Sequence, residues 1–280
     1  MTSPRAIRIA TWNLRWRFGD WNRRAQAIRR VLREAKPDVC ALQEVWQSGA
    51  GNLAGMLAAE FGMKWSWLPS PDPEHWRARL PHCQAEVGQA LLARWPIRES
   101  QGLALAGGAA PGDARRNALL CVVDAPHGGL PVVTTQLSAP PWNSALRCDQ
   151  VHGLVDWLAV RESESYPVVV AGDMNAEPDS DEMRLICGHK TAPARPGFVL
   201  VDAWRYSVQG TVGWTWDREN PSVAATGEPS SRIDYILVGP PHAGGRGRVL
   251  TARRIGDAAV DGVWPSDHAG VLAELSADGG

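Results

Sequence analysis

A chain of 280 residues with 44% hydrophobic residues and a mean hydropathy of −0.23 can bury a sizeable core. Its net charge of −1, from 29 Lys and Arg against 30 Asp and Glu, argues against a uniformly basic surface for long duplex DNA but leaves room for a local basic cleft. No apolar run approaches the roughly 20 residues of a membrane span, and the opening MTSPRAIRIATWNLRW lacks the apolar region of a secretion signal. The expectation is therefore one domain over residues 1–280, cytoplasmic and acting as a monomer.

In chain order, 7–12 (IRIATW) reads as a strand. Residues 22–35 follow as a helix, with Ile28, Val31 and Leu32 at helical spacing and Pro37 beyond its end. Residues 38–43 read as a second strand and 52–61 as a second helix. Strands are expected at 87–93, 118–124, 131–136 and 167–171, with 118–124 and 131–136 forming a hairpin around His127-Gly128-Gly129. Residues 144–160 read as a helix with Ser144 as N-cap and Leu146, Val151, Leu154, Val155 and Leu158 on one face. The last strands are 231–238, 248–255 and 269–275, and Pro/Gly-rich loops occupy 69–85, 105–114 and 219–230. Hairpins mixed with helix-separated strands suggest sheets packed on each other with helices outside.

The five cysteines are widely spaced, with no CxxC pair, and Cys40 and Cys121 read as small core residues. Fourteen tryptophans outnumber three Phe and three Tyr. Trp12, Trp16, Trp95, Trp214 and Trp216 lie beside polar motifs and could line a cleft, although packing in the core is the ordinary role of an indole.

The most informative stretch is 167–178, PVVVAGDMNAEP. A buried strand ends abruptly at Gly172-Asp173-Met174-Asn175, and burying a carboxylate is costly, so Asp173 should stand at a cleft. Asp173 offers a base and Asn175 a neutral donor; by itself the pair could equally be an Asx turn. Four further polar groups fall at strand ends: Asn13, Glu44, Asp234 and Asp267-His268. Together they provide oxygen ligands for a hard cation such as Mg²⁺ or Mn²⁺, and a histidine beside carboxylates.

These blocks resemble the endonuclease/exonuclease/phosphatase superfamily, which includes pancreatic-type deoxyribonucleases, abasic-site endonucleases, neutral sphingomyelinases and inositol-phosphate phosphatases. TWNLRW, LQEV, GQALLARWPI, RRNALLCVVD, VVTTQL, RCDQVHGL, VVVAGDMNAEP, SSRIDYILV and PSDHAGV stand in the family's order over nearly the whole chain. The resemblance implies an α/β (α+β) fold, a four-layer αββα sandwich of two mixed β-sheets flanked by helices, with the site where the strand ends converge. It implies Glu44 as principal metal ligand, with Asn13 and Asp267 in support. Asp173 resembles the residue that orients or deprotonates the attacking water, and Asn175 the amide on a phosphoryl oxygen. His268 resembles the phosphate-contacting histidine, with Asp234 as its partner. Arg116 and Asn13 match substrate-contacting positions.

One block departs from the pattern. Where many members read Thr-His-Leu, this chain has Gln136. A glutamine can orient a phosphoryl oxygen but cannot protonate a leaving group. The expected function is a Mg²⁺- or Mn²⁺-dependent phosphodiesterase or nuclease acting on a phosphate ester, including nucleic acid, by in-line water attack. The alternatives are a non-hydrolytic member, or a specialised biosynthetic one using the same metal cleft on an unusual small substrate.

Overall fold

In the computed structural model, which describes residues 6–107, 113–161, 164–208, 210–242 and 244–278, the strands assemble into two mixed sheets. The first has the order β12-β13-β1-β2-β5-β4, with β3 (Gly51–Asn52) paired to β2 alone. Its strands are β1 (Ala6–Asn13), β2 (Val39–Ser48), β4 (Lys64–Pro69), β5 (Glu86–Ala93), β12 (Val249–Ile255) and β13 (Gly270–Ser276). The second has the order β10-β11-β9-β8-β7-β6. It is built from β6 (Ile97–Ala104), β7 (Asn117–Ala125), β8 (Gly128–Gln136), β9 (Val169–Asp173), β10 (Val201–Asp202) and β11 (Asp234–Val238). Only β1–β2 and β8–β9 run parallel among these pairings; the others are antiparallel.

Three apolar layers stack in order. Between the sheets lie the inward side chains Ile7, Ile9, Val39, Val132, Val169 and Ile236, all buried. The outer face of the first sheet packs Ala10, Trp12 and Leu42 against Ile28, Leu32 and Leu57 of helices α1 (Trp21–Ala35) and α2 (Leu53–Phe61). The outer face of the second packs Val133, Val170 and Leu237 against Val151, Val155 and Ile186 of α4 (Ser144–Ala159) and α5 (Asp181–Cys187). The period-2 alternation within each strand supplies both faces at once, which makes four layers. Cys40 and Cys121 are buried in this packing, as expected.

Several elements lie outside the sequence expectation. Of the four edge strands, β4 (KWSWLP) and β6 (IRESQGLA) lie outside the expectation, because a half-exposed strand carries polar residues that break the apolar pattern. The loop expected over 69–85 contains α3 (Pro73–Arg79), and that over 219–230 contains α6 (Pro221–Ala224). Of the loop over 105–114, residues 108–112 lie outside the described residues. The N-cap of α4 is Asn143 rather than Ser144, whose hydroxyl instead donates to Glu182 Oε2 at 2.7 Å. Strand β9 continues through Gly172 to Asp173, where a Cβ on Gly172 would stand 2.0 Å from the Thr135 carbonyl oxygen. Only glycine lets β8 approach this closely.

Candidate active site

Register assembles the site. Parallel pairing sets Gln136 of β8 opposite Asp173 of β9, and antiparallel pairing sets Asp234 of β11 opposite the same Asp173. In the other sheet β1 and β2 end side by side, with Asn13 opposite Gln43. The next residue, Glu44, has a φ of +52°, within a register shift between Leu42 and Val45 against β5. Such a bulge re-aims a side chain out of the strand's alternation. Below the site, buried Gln43 donates from Nε2 to Thr134 Oγ1 at 2.9 Å and to Thr11 Oγ1 at 3.2 Å, joining the two sheets by a polar bridge.

Two amides clamp the carboxylates. Asn13 Nδ2 donates to Glu44 Oε1 at 3.1 Å and to Asp173 Oδ2 at 3.0 Å. Gln136 Nε2 donates to the same two oxygens, both at 3.0 Å. Gln136 Oε1 in turn accepts from Arg116 Nη1 at 2.7 Å, and Arg116 Nη2 is 3.1 Å from Asp113 Oδ1. Burial raises the Asp113 carboxyl, but Ser138 Oγ and the Arg116 charge outweigh it and hold it below the usual carboxylate range. Gln136 therefore has both N–H groups on carboxylates and its oxygen on a guanidinium. In this arrangement it holds Glu44 and Asp173 rather than contacting a phosphoryl oxygen directly. Asn13 clamps the same carboxylates through its Nδ2, while its Oδ1 accepts from the Arg15 backbone at 2.9 Å and keeps a second lone pair. Asp173 Oδ1 accepts from the Asn175 backbone at 3.0 Å, so the Asx turn and the cleft carboxylate are the same residue. The side chain of Asn175 donates one N–H to the Leu137 carbonyl at 3.0 Å.

His268 stands on the other side of Asp173. Its Nδ1 is 2.8 Å from Asp234 Oδ2, and its Nε2 is 4.0 Å from Asp173 Oδ2, too far for a direct hydrogen bond. Trp216 meets the imidazole edge-on, at 5.0 Å between centroids. Burial alone would drive His268 to its neutral form. The charges of Asp234 and Asp173 and the Asp234 hydrogen bond outweigh it and hold the imidazole proton well above the ordinary range. Asp173 is raised by its own burial, with His268 opposing and Asp234 adding to the effect. Removing the Asp234 charge leaves burial with less opposition. In metal-free protein, Asp234→Asn is expected to lower the imidazole pKa, read by NMR titration of His268. The raised proton affinity stabilises the fold fully below the unfolded-state value of about 6.5 and fades as pH rises through the folded value. The stability lost in Asp234→Asn should therefore shrink at high pH, and an unmoved imidazole titration would rule this coupling out.

The loops above the strand ends are tied by residues that the sequence did not reveal. Arg24, 5% exposed on α1, donates to the carbonyls of Leu14, Arg15, Trp16, Phe18 and Pro265 at 2.9–3.1 Å. Ser266 Oγ donates to the Asn13 carbonyl at 2.7 Å, and Asn220 Nδ2 to the Ser266 carbonyl at 2.7 Å. The one signal in NRRAQAIRR is spacing, since Arg24 stands four residues before Ile28 and seven before Val31 on the apolar face and its exposed neighbour Arg23 does not.

The donor set suits a hard divalent cation. Glu44 and Asp267 line one cleft, and among the described residues no hydrogen bond reaches Glu44 Oε2. Asp267 Oδ2 is 3.0 Å from Arg15 Nε, so a cation there would compete with a guanidinium. Asp173, Asp234 and His268 also offer ligand atoms within 4.8 Å of one another. The His268 Nδ1 of that trio is already engaged by Asp234, and a histidine must be neutral at the nitrogen that binds metal.

The cleft has a volume of about 740 Å³ and is lined by Glu44, Arg116, Gln136, Asp173, Asn175, Asp267 and His268. Asn13 is buried beneath it and Asp234 lies behind His268. A second hollow of about 720 Å³, against Trp157, Tyr166 and Phe198, contains none of these residues. Of the indoles singled out, Trp216 lines the cleft, Trp12 and Trp16 are buried in packing, Trp95 packs against the layer between the sheets, and Trp214 is exposed.

The Endonuclease/Exonuclease/phosphatase family model matches residues 10–268. No individual curated sequence matches the chain. Among solved structures, a humanized Danio rerio TDP2 carrying 14 mutations is 20% identical, with a TM-score of 0.74 over 98% of this chain and 100% of that one. The human Nocturnin catalytic domain with bound sulfate is also 20% identical, with a TM-score of 0.72 over 98% and 96%. An endonuclease/exonuclease/phosphatase from Bacteroides vulgatus is 19% identical, with a TM-score of 0.71 over 98% and 99%. These likenesses show a shared fold. No helix among the described residues is long and apolar enough to cross a membrane.

Proposed function

The chain belongs to the endonuclease/exonuclease/phosphatase family, and on that premise we propose that it is a divalent-metal-dependent phosphodiesterase or nuclease. The observation that carries this reading is the double clamp on Asp173. Two amides hold its Oδ2, and the His268 Nε2 faces the same oxygen at 4.0 Å. A carboxylate fixed in this way is preorganised to align an attacking water and accept its proton. His268, charged through Asp234, donates from Nε2 to a phosphoryl oxygen. Asn175 has a second N–H for the same purpose.

Glu44 and Asp267 would hold the cation, which supplies neutralisation of charge developing on the phosphoryl and leaving oxygens. Asn13 and Gln136 keep the Glu44 carboxylate in place. Glu44→Gln retains shape and loses charge, so Mg²⁺ or Mn²⁺ affinity measured by calorimetry should fall by more than the about 10–100-fold typical of losing an outer partner. Unchanged affinity would remove Glu44 from the metal site.

Gln136 provides no proton for a departing alkoxide, and His268 Nε2 is engaged on a phosphoryl oxygen, so esters with acidic leaving groups should react faster than alkyl esters. Nucleic acid is the first substrate class to try, because one structure with this fold is Danio rerio TDP2 complexed with a single-strand DNA product, at 19% identity. A panel of phosphate esters, including single- and double-stranded nucleic acid, should show turnover that requires Mg²⁺ or Mn²⁺ and stops with EDTA. Metal binding without turnover of any ester would overturn the hydrolytic reading.

A further inference from the structure

Four guanidinium groups line the cleft: Arg15, Arg79, Arg116 and Arg147. Three are committed to carboxylates. Arg15 pairs with Asp267 at 3.0 Å and donates to Ser222 Oγ at 2.7 Å. Arg116 joins Asp113 and Gln136. Arg147 is buried against Glu182 and also donates to the carbonyls of Ser138, Pro140 and Pro141. Arg79 differs. Among the described residues no carboxylate lies within 4.0 Å of it and no hydrogen bond uses its donors. The exposed Arg79 side chain places its Cζ over the rings of Phe18 at 5.0 Å and Trp76 at 5.5 Å.

Resting on the phosphoesterase reading, we propose that Arg79 binds a second, non-reacting phosphate group of the substrate. A cation–π contact uses no N–H donor, so the Arg79 guanidinium keeps its donors for bidentate contact with a phosphate. The platform is itself fixed. Trp16 meets Phe18 and Trp76 edge-on at 5.5 and 5.7 Å, and the Trp76 indole donates to Ser70 Oγ at 3.2 Å. Helix α3 is anchored by Pro73 in its first turn and by Asp72, whose side chain accepts from the backbone of His75 at its own N-cap and of Arg115 across the cleft wall. The rings beneath the exposed Arg79 side chain are thus held in place from several sides.

Position separates this group from the reacting centre. Asp173, Asn175 and His268 belong to the ends of the second sheet and the last loop, whereas Arg79 enters from a helix flanking the first sheet. The cleft of about 740 Å³ suits a ligand far larger than one phosphate. Its acidic members Glu177, Asp179 and Glu228 come from the β9–α5 and α6–β11 connections and would repel a second anion there. The second phosphate could be the next linkage of an oligonucleotide or a separate phosphate on a small molecule.

The test uses matched chromogenic diesters with Mg²⁺ or Mn²⁺. Thymidine 3′-(4-nitrophenyl phosphate) is compared with and without a 5′-phosphate, and thymidine 5′-(4-nitrophenyl phosphate) with and without a 3′-phosphate. The wild type should bind one bisphosphate with a lower KM than its single-phosphate partner, by about tenfold for one charge-assisted contact. Arg79→Gln should abolish that advantage with kcat little changed, Arg79→Lys should keep part of it, and Arg77→Gln on the same helix should keep all of it. With a single-stranded oligonucleotide, Arg79→Gln should also reduce the log–log salt slope by about one, which marks a nucleic-acid source for the phosphate. An undiminished advantage in Arg79→Gln overturns the proposal. If the wild type hydrolyses none of these esters, the phosphoesterase reading fails instead. Calorimetry of thymidine 3′,5′-bisphosphate in EDTA then decides Arg79 separately, with equal affinity for wild type and Arg79→Gln counting against it.

Discussion

Asp173→Asn is expected to lower diester turnover by about 10²–10⁴-fold, the range for loss of a positioned general base. The substitution is isosteric, and Asp173 is 1% exposed among partners that stay in place. Its Oδ1 takes the Asn175 backbone N–H, while Oδ2 takes one N–H each from Asn13 and Gln136. An amide at this position cannot accept the proton of water. Its nitrogen, if placed at the Oδ2 position, would face two other donors. The imidazolium of His268 would also lose one of the three carboxylates that sustain it, Asp234, Asp173 and Asp267. Steady-state kinetics with a thermal melt on the same sample checks this. Turnover within a few-fold of wild type, in a folded protein, would remove Asp173 from the chemistry.

The largest effect on stability should come from Arg24→Met. Arg24 satisfies five carbonyls on the 14–18 loop and at Pro265, in a pocket where few other donors can reach them. Burial lowers its pKa to about 10, opposed chiefly by Asp267, so it stays charged at neutral pH. Methionine replaces the alkyl stem but leaves four of the carbonyls without a protein donor among the described residues, that of Arg15 keeping the Phe18 backbone N–H at 3.3 Å. The expected loss is about 3 kcal/mol, or about 5 °C in Tm for a chain of this length. Arg24→Lys should recover only part, because an ammonium has three donors and no planar fork. Activity should fall as well, since the same carbonyls belong to the loop that follows Asn13. An unchanged Tm in Arg24→Met would show that water replaces the guanidinium at no cost.

The two substitutions differ in how visible their positions were. Asp173 stood out because a buried strand ended in a carboxylate, and that is a local pattern. Glu44, Asn13, Asp234 and His268 were legible for the same reason: apolar alternation stops and a polar group begins. Hairpins mixed with helix-separated strands pointed to packed sheets with helices outside, and the four-layer order was implied by the family resemblance. Local pattern also has a blind side. Strands β4 and β6 escaped notice because an edge strand needs only one buried face, and α3 was hidden in a Pro-rich stretch although it holds Arg79.

What the amino-acid sequence determined by itself was the periodicity of each segment and the chemical type of group at each strand end, because both depend on neighbours a few residues apart. What the tertiary structure alone decided was partnership. Gln136 meets Asp173 across 37 residues, Glu44 across 92, and Asn13 meets Asp173 across 160. Those meetings depend on strand register, which is set by the whole sheet and by a close approach at Gly172. Hence the sequence could place a glutamine where a histidine is usual, but only the assembled sheets show its amide holding two carboxylates with Arg116 behind it. In the same way Arg24 became the organiser of a loop, and Arg79 the cleft guanidinium with no carboxylate beside it among the described residues, because pairing between charges is settled by what the fold brings within 4 Å.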